Sequence, residues 1–151
     1  MNAIPVELLA AYRAAHFHVN SEDPFVLLIG EYSRELALLH KAAGVASSAF
    51  ITAYNALGEQ CAEEQNTAAQ ASLLDSVKQL GLASVAGEGR DPQGQWPGEP
   101  SLLVLGCSDI QANELGRLYR QNAIVWCEHN AVPELIAVSY THLTLPTTPY
   151  V

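Results

Sequence analysis

Glu88 and Glu99 bracket a glycine- and proline-rich stretch, GEGRDPQGQWPGEPS (87–101), that also carries Arg90, Asp91 and Trp96. Two carboxylates brought close together can divide acid and base roles between them, or hold a divalent cation through water. They are the candidate catalytic residues. Trp96, the only aromatic residue of the stretch, either stacks on a ligand as a wall or anchors the segment to the body of the protein. Anchoring is the better fit to a long ordered loop, which must bury something of its own. Thr52 and Asn55 end an apolar run, FITAYN (50–55), and polar groups at a strand's carboxyl end face the crevice where open α/β sheets take ligands. Asn66, beside Glu64 at the start of a helical stretch, and Gln121, before a later strand, complete a set able to orient a ligand by hydrogen bonds. The ordinary alternative is that these side chains satisfy backbone groups, and that Glu64 complements a helix dipole.

Other motifs carry less. Gly87-Glu88-Gly89 lacks the third glycine and the helix that a dinucleotide fingerprint requires, and no GK[ST] or GxSxG sequence occurs. Cys107 stands between a strand end and a helix start, where a helix dipole lowers a thiol pKa, but no histidine lies near it in the chain. A buried structural cysteine is the better reading. His16 and His18 share one strand face, and Cys127 and His129 another. Neither pair has the third or fourth ligand that a zinc site needs, so no metal site and no cofactor is assigned.

The elements that position these residues follow from periodicity and caps. Leu8, Leu9 and Tyr12 recur at helical spacing after Pro5. HFHV (16–19) and PFVLLIG (24–30) read as strands, and Ser33 and Gly44 bracket a helix over RELALLHKAA. A strand around Phe50 and Ile51 precedes a helix from about 63 to 80. LASVA (82–86) is a short strand, and SLLVLG (101–106) reads as a strand buried on both faces. A helix capped by Ser108 or Asp109 follows, with Leu115 and Leu118 inward. NAIVWCE (122–128) and ELIAV (134–138) are the last strands. The expectation is a single compact α/β domain over 1–138, α+β being the alternative. It would have a mixed sheet flanked by helices and a long polar loop, 87–100, over one end of the strands.

Seven basic residues against 16 acidic ones give a net charge of −9 in 151 residues. With two lysines and no basic run, the chain is unsuited to phosphate backbones or anionic membrane surfaces, so neither nucleic acid nor membrane is an expected partner. Three widely spaced cysteines without a CxxC pair suit reduced thiols and a cytoplasmic location. No apolar run reaches the length of a membrane span, and the first residues lack a signal-peptide pattern. Residues 139–151, SYTHLTLPTTPYV, carry no charge and break the preceding pattern. They resemble translated sequencing-adapter read-through, so His142, Tyr140 and Tyr150 are set aside from any site.

Taken in order, FITAYN (50–55), EQN (64–66), GEG (87–89), WPGEPS (96–101), VLG (104–106), Ala112, Leu115-Gly116 and QNA (121–123) resemble the bacterial family called domain of unknown function 3293. The resemblance runs from about Leu9 to Ile136. One departure is Ala56, where the family typically has proline. The resemblance implies a small α/β domain and favours Thr52, Asn55, Asn66, Glu88, Trp96, Glu99 and Gln121 as a shared site, while Cys107 falls outside its pattern. The functional expectation is a small polar ligand at that site, with hydrolysis or group transfer by the carboxylates. A non-catalytic interaction or structural module is the alternative.

Overall fold

The computed structural model describes residues 4–140. In chain order these form α1 (Val6–Ala14), β1 (His16–Val19), β2 (Phe25–Leu27), α2 (Arg34–Ala43), β3 (Ser48–Ile51), α3 (Glu63–Gln79), β4 (Ser84–Arg90), β5 (Glu99–Leu105), α4 (Asp109–Leu118), β6 (Ala123–Cys127) and β7 (Pro133–Ala137), with one 3₁₀ turn at Ala56–Gly58. The seven strands make one curled sheet in the order β2-β1-β4-β5-β3-β6-β7. Helices and sheet combine as expected in a compact α/β fold. Every strand pairing is antiparallel, however, where a mixed sheet was expected. The connections explain this. Short links after β1, β4 and β6 permit only hairpins, and each helical crossover joins strands that are not neighbours.

The expected 87–100 loop is strand at both ends. Residues 87–90 complete β4 and 99–100 open β5, leaving 91–98 as the connection. Gly-Glu-Gly-Arg alternates buried with more exposed positions, the period of a half-solvated strand, but its composition looks like a turn. The helix boundaries were more legible. The Ser33 hydroxyl accepts the Leu36 N–H at 3.1 Å, and Gly44 closes α2 in the left-handed region. Ser108 and Gln111 form a reciprocal capping box on α4. Leu118, expected inward, is 64% exposed. Ala112, Leu115 and Gly116 make the buried stripe instead, because Val138 and Ile124 press against Gly116 where a larger side chain would stand.

Register sorts the residues onto two faces. Ala49, Ile51, Leu102, Val104 and Ile124 point towards α3 and α4, where Leu73, Val77 and Leu115 meet them. Phe17, Val19, Phe50, Leu103 and Val125 point the other way and pack with Leu36 of α2. Phe17 and Phe50 meet edge-on, with ring centroids 5.2 Å apart. On this second face His40 shares a 2.7 Å hydrogen bond with Ser48 through Nε2, while its buried Nδ1 lacks a partner among the described residues. Burial lowers the His40 pKa, favouring the neutral ring. Tyr140 donates to the Gln121 carbonyl at 2.8 Å. His142 and Tyr150 lie outside the described residues.

Two glycines of β4 differ in what they permit. A Cβ on Gly87 would stand 2.5 Å from the His18 carbonyl oxygen and 2.8 Å from the Phe50 ring. At Gly89 the nearest neighbour would be Phe17 Cδ1, at 3.9 Å. Thermal unfolding followed by circular dichroism is therefore expected to show Gly87→Ala melting several degrees lower, as overpacking costs about 1–3 kcal/mol. Gly89→Ala is expected to stay within about 2 °C of the parent. Equal losses at both positions would contradict this packing.

Candidate functional site

The second face of the sheet is not filled along its whole length. Gly89 and Glu99 are register partners on β4 and β5, followed on the same face by Gly87 and Ser101. Small side chains there leave a cavity of about 420 Å³ between the sheet and the segments above it. Its floor includes Phe17, Phe50 and Val125 together with Gly89, Glu99 and Ser101. Leu8, Ala11, Tyr12 and Ala15, recurring at helical spacing in and just after α1, close one side, and Gln95-Trp96-Pro97 close another. No residue of α1 is fully buried, as expected of a helix laid over a cavity instead of a filled core.

Glu99 is the cavity's charged side chain, and its position is set by two amides. The Asn66 side chain accepts the Asn55 backbone N–H at 2.8 Å and donates back to Asn55 Oδ1 at 3.0 Å. Asn55 Oδ1 also accepts the Cys61 N–H at 3.0 Å. With its oxygen committed, the Asn55 amide must turn Nδ2 towards Glu99, where it donates to Oε2 at 2.7 Å. Oε1 has no hydrogen bond within the described residues. Burial raises the Glu99 pKa above the usual carboxylate range, and the Asn55 hydrogen bond partly opposes this. Tyr12 is raised as well, first by burial and then by the charge of Glu99, against a lowering hydrogen bond with Asn122.

Backbone strain gathers at the rim. Asn55 (φ 51°), Leu57 (φ 57°) and Arg120 (φ 58°) are non-glycine residues in the left-handed region. The Leu57 N–H donates to the Arg120 carbonyl, tying the two strained segments together. Such conformations persist only where surroundings over-determine them, and they collect at ligand sites. Ala56, the departure from the family pattern, opens the 3₁₀ turn that carries Leu57.

The proposed site residues separate by what they touch. Glu99, Asn55, Thr52, Trp96 and Gln121 all line the cavity. Asn66 does not; it is buried and holds Asn55 from behind. Thr52 donates to the Pro100 carbonyl at 2.7 Å and accepts the Tyr54 N–H at 3.0 Å, while Gln121 Nε2 donates to the Tyr54 and Tyr119 carbonyls at 3.2 Å each. Both brace the rim. Trp96 lines the cavity and also packs on the core. Asp91 accepts the Gln93 and Gln95 N–H groups at 3.0 and 2.8 Å, which shapes the turn that presents Trp96.

Glu88 is not brought together with Glu99. It is one residue out of phase with Gly89, so its side chain leaves the opposite face of the sheet, accepts from Arg90 Nε and lies under Gly98. The expected carboxylate pair is replaced by one half-buried glutamate in the cavity and one that lies against the 91–98 turn. Sequence reasoning missed Tyr12 and Gly89. Tyr12 fell on an apolar helical stripe and looked like ordinary core; Gly89 looked like a turn residue. Cys107 and Cys127 are buried, and that burial pushes each thiol up to about 12, far from a reactive thiolate. Among the described residues no three His, Cys, Asp or Glu side chains gather as a cation site, and no helix is long and apolar enough to cross a membrane.

Residues 51–124, which supply Thr52, Asn55, Asn66, Trp96, Glu99 and Gln121, match the model of a family described as protein of unknown function (DUF3293). The match covers just under half of the 151 residues, and over that segment the chain is similar to this family. No curated protein and no solved structure matches it. The DUF3293 segment thus contains the whole amide relay and the carboxyl it positions, while α1 and Phe17 on the cavity's other side lie before it.

Two substitutions separate positioning from function. Because the folded protein takes up the Glu99 proton at a higher pH than the unfolded chain does, this group's contribution to stability falls as pH rises through that window. Glu99→Gln removes the cost of burying the charge and is expected to melt a few degrees higher at pH 8, converging with the parent near pH 4. Asn66→Ala strips the acceptor from a strained backbone and is expected to lose about 1–3 kcal/mol at either pH, read as a lower denaturation midpoint.

Proposed function

We propose that the cavity beneath Trp96 is a small-molecule binding site in which Glu99 exchanges a proton with the ligand. The observation that carries this reading is a desolvated carboxyl group aimed into a 420 Å³ cavity, with one oxygen fixed by Asn55 and the other without a partner among the described residues. A volume of that order accommodates a metabolite-sized molecule. A carboxyl whose pKa is raised by burial is suited to general acid or base work. The lining favours an amphipathic ligand over a wholly polar one, since aromatic and aliphatic walls surround few polar groups, several of them engaged in bracing the rim.

Acid/base hydrolysis or group transfer by two carboxylates has no support in the placement of Glu88. A single proton-transferring group, with Tyr12 as a second polar contact, is the reading that fits. Thr52, Gln121 and Asn66 serve by holding the rim and orienting Asn55. The buried thiols and the acidic surface fit a cytoplasmic protein that does not engage nucleic acid.

Differential scanning fluorimetry of the full chain against a metabolite library tests the proposal. Ligands are expected to raise the melting temperature of the parent protein and to lose that effect in Gly89→Val, whose side chain would project into the cavity. Hits that survive Gly89→Val, or a library without a single hit, would count against a cavity site.

A further inference from the structure

The geometry points to a primary ammonium group on an apolar body as the ligand of this cavity, the ammonium seated against Glu99 and the body held among aromatic walls. This rests on the reading of the cavity as a binding site and goes further by naming the ligand's charge and shape. Among the described residues that line the cavity, Glu99 is the only acidic one and none is Lys, Arg or His. An anionic ligand would therefore place its charge beside a carboxylate with no cation to offset it. A neutral ligand would leave the desolvated carboxylate without a counter-charge. An ammonium group supplies that charge and donates to Oε1, the oxygen that Asn55 leaves open.

Two further observations agree. Tyr12, Phe17, Phe50, Tyr54 and Trp96 line the same cavity as Glu99, and the faces of such rings attract cations and pack well on apolar chains. The net charge of −9 surrounds the molecule with a field that favours the approach of cations and repels anions. The upward shift of the Glu99 pKa fits a carboxyl held without its counter-charge. When an ammonium arrives, Glu99 must ionise, so binding releases a proton at any pH where the empty site is partly protonated.

Isothermal titration calorimetry on the full chain, with matched probes, decides the matter. The probes are butyl-, hexyl-, benzyl- and 2-phenylethylamine, indole-3-ethylamine, and the alcohol and the carboxylate corresponding to each. At least one amine is expected to bind about ten-fold more tightly than its alcohol, with its carboxylate weaker still. In Glu99→Gln that preference should fall to about two-fold or less, with alcohol binding retained. Amine affinity should rise with pH as Glu99 ionises, and buffers of different ionisation enthalpy should report the released proton.

Alcohols or carboxylates that match or exceed their amines, or an amine preference that persists in Glu99→Gln, would overturn the ammonium assignment while leaving the cavity as a binding site. If none of the three series binds the parent protein, both the assignment and the binding site itself fail. Gly89→Val should abolish binding of all three series, and retained binding there would place these probes elsewhere and overturn the assignment. Circular dichroism of each variant at the titration temperature confirms that it is folded.

Discussion

The exchange of hydrogen bonds between Asn55 and Asn66 is the constraint on which the site depends. It joins the segment after β3 to the first turn of α3 and, through Asn55 Nδ2, reaches the first residue of β5. Three elements distant in sequence are thereby fixed around one carboxyl group. The pairing also answers a local problem: Asn55 is in the left-handed region, where an asparagine is better tolerated than a bulky residue but still needs support. Asn66 gives that support from a buried position. A side chain that looks like a ligand contact in the sequence is therefore a positioning residue, and the residue it positions is the one that reaches the cavity.

The cavity has a second origin in the sheet. Antiparallel pairing places Gly87 and Gly89 opposite Ser101 and Glu99, so small residues and one acid occupy a face that elsewhere carries leucine, valine and phenylalanine. Gly87 lets the Phe50 ring approach the strand, whereas the space beside Gly89 stays open. The strand that brings the ring close also borders the cavity. Glycine inside a strand weakens it, and its presence twice in β4 fits a close approach and an opening.

Burial without compensation is the energetic signature of the arrangement. The Asn66 amide, the Thr52 hydroxyl and Gln121 Nε2 are engaged by protein, and these bonds resist the strain of the rim. Glu99 has one oxygen engaged and one open, inside a largely apolar enclosure, and its raised pKa records the unfavourable part of that environment. Most polar groups near the cavity thus hold the fold together, while this one is held at a cost to it. A desolvated acid in a cleft is the arrangement expected where a group is set up to react with, or bind, something else.

Much of the framework was legible in the chain. Ser33 and Gly44 marked the ends of α2, Ser108 marked the start of α4, and the uninterrupted apolar runs marked β5 and β6, because caps and burial on both faces leave local signatures. The polar set Thr52, Asn55, Asn66, Trp96, Glu99 and Gln121 was also identifiable, and the structure brings all six to the cavity or its support. Which carboxylate faces the cavity was not legible. Glu88 and Glu99 fall on opposite sides because of a single residue of register across a hairpin, and strand parity is set by pairing partners far away in sequence. Tyr12 joins the site only because α1 lies over the sheet, and the opening exists only where Gly89 meets Glu99. Residue type and spacing determined which groups were available for chemistry. The tertiary structure alone decided which of them share an enclosed space, since such a space is a property of several elements packed together and of none of them singly.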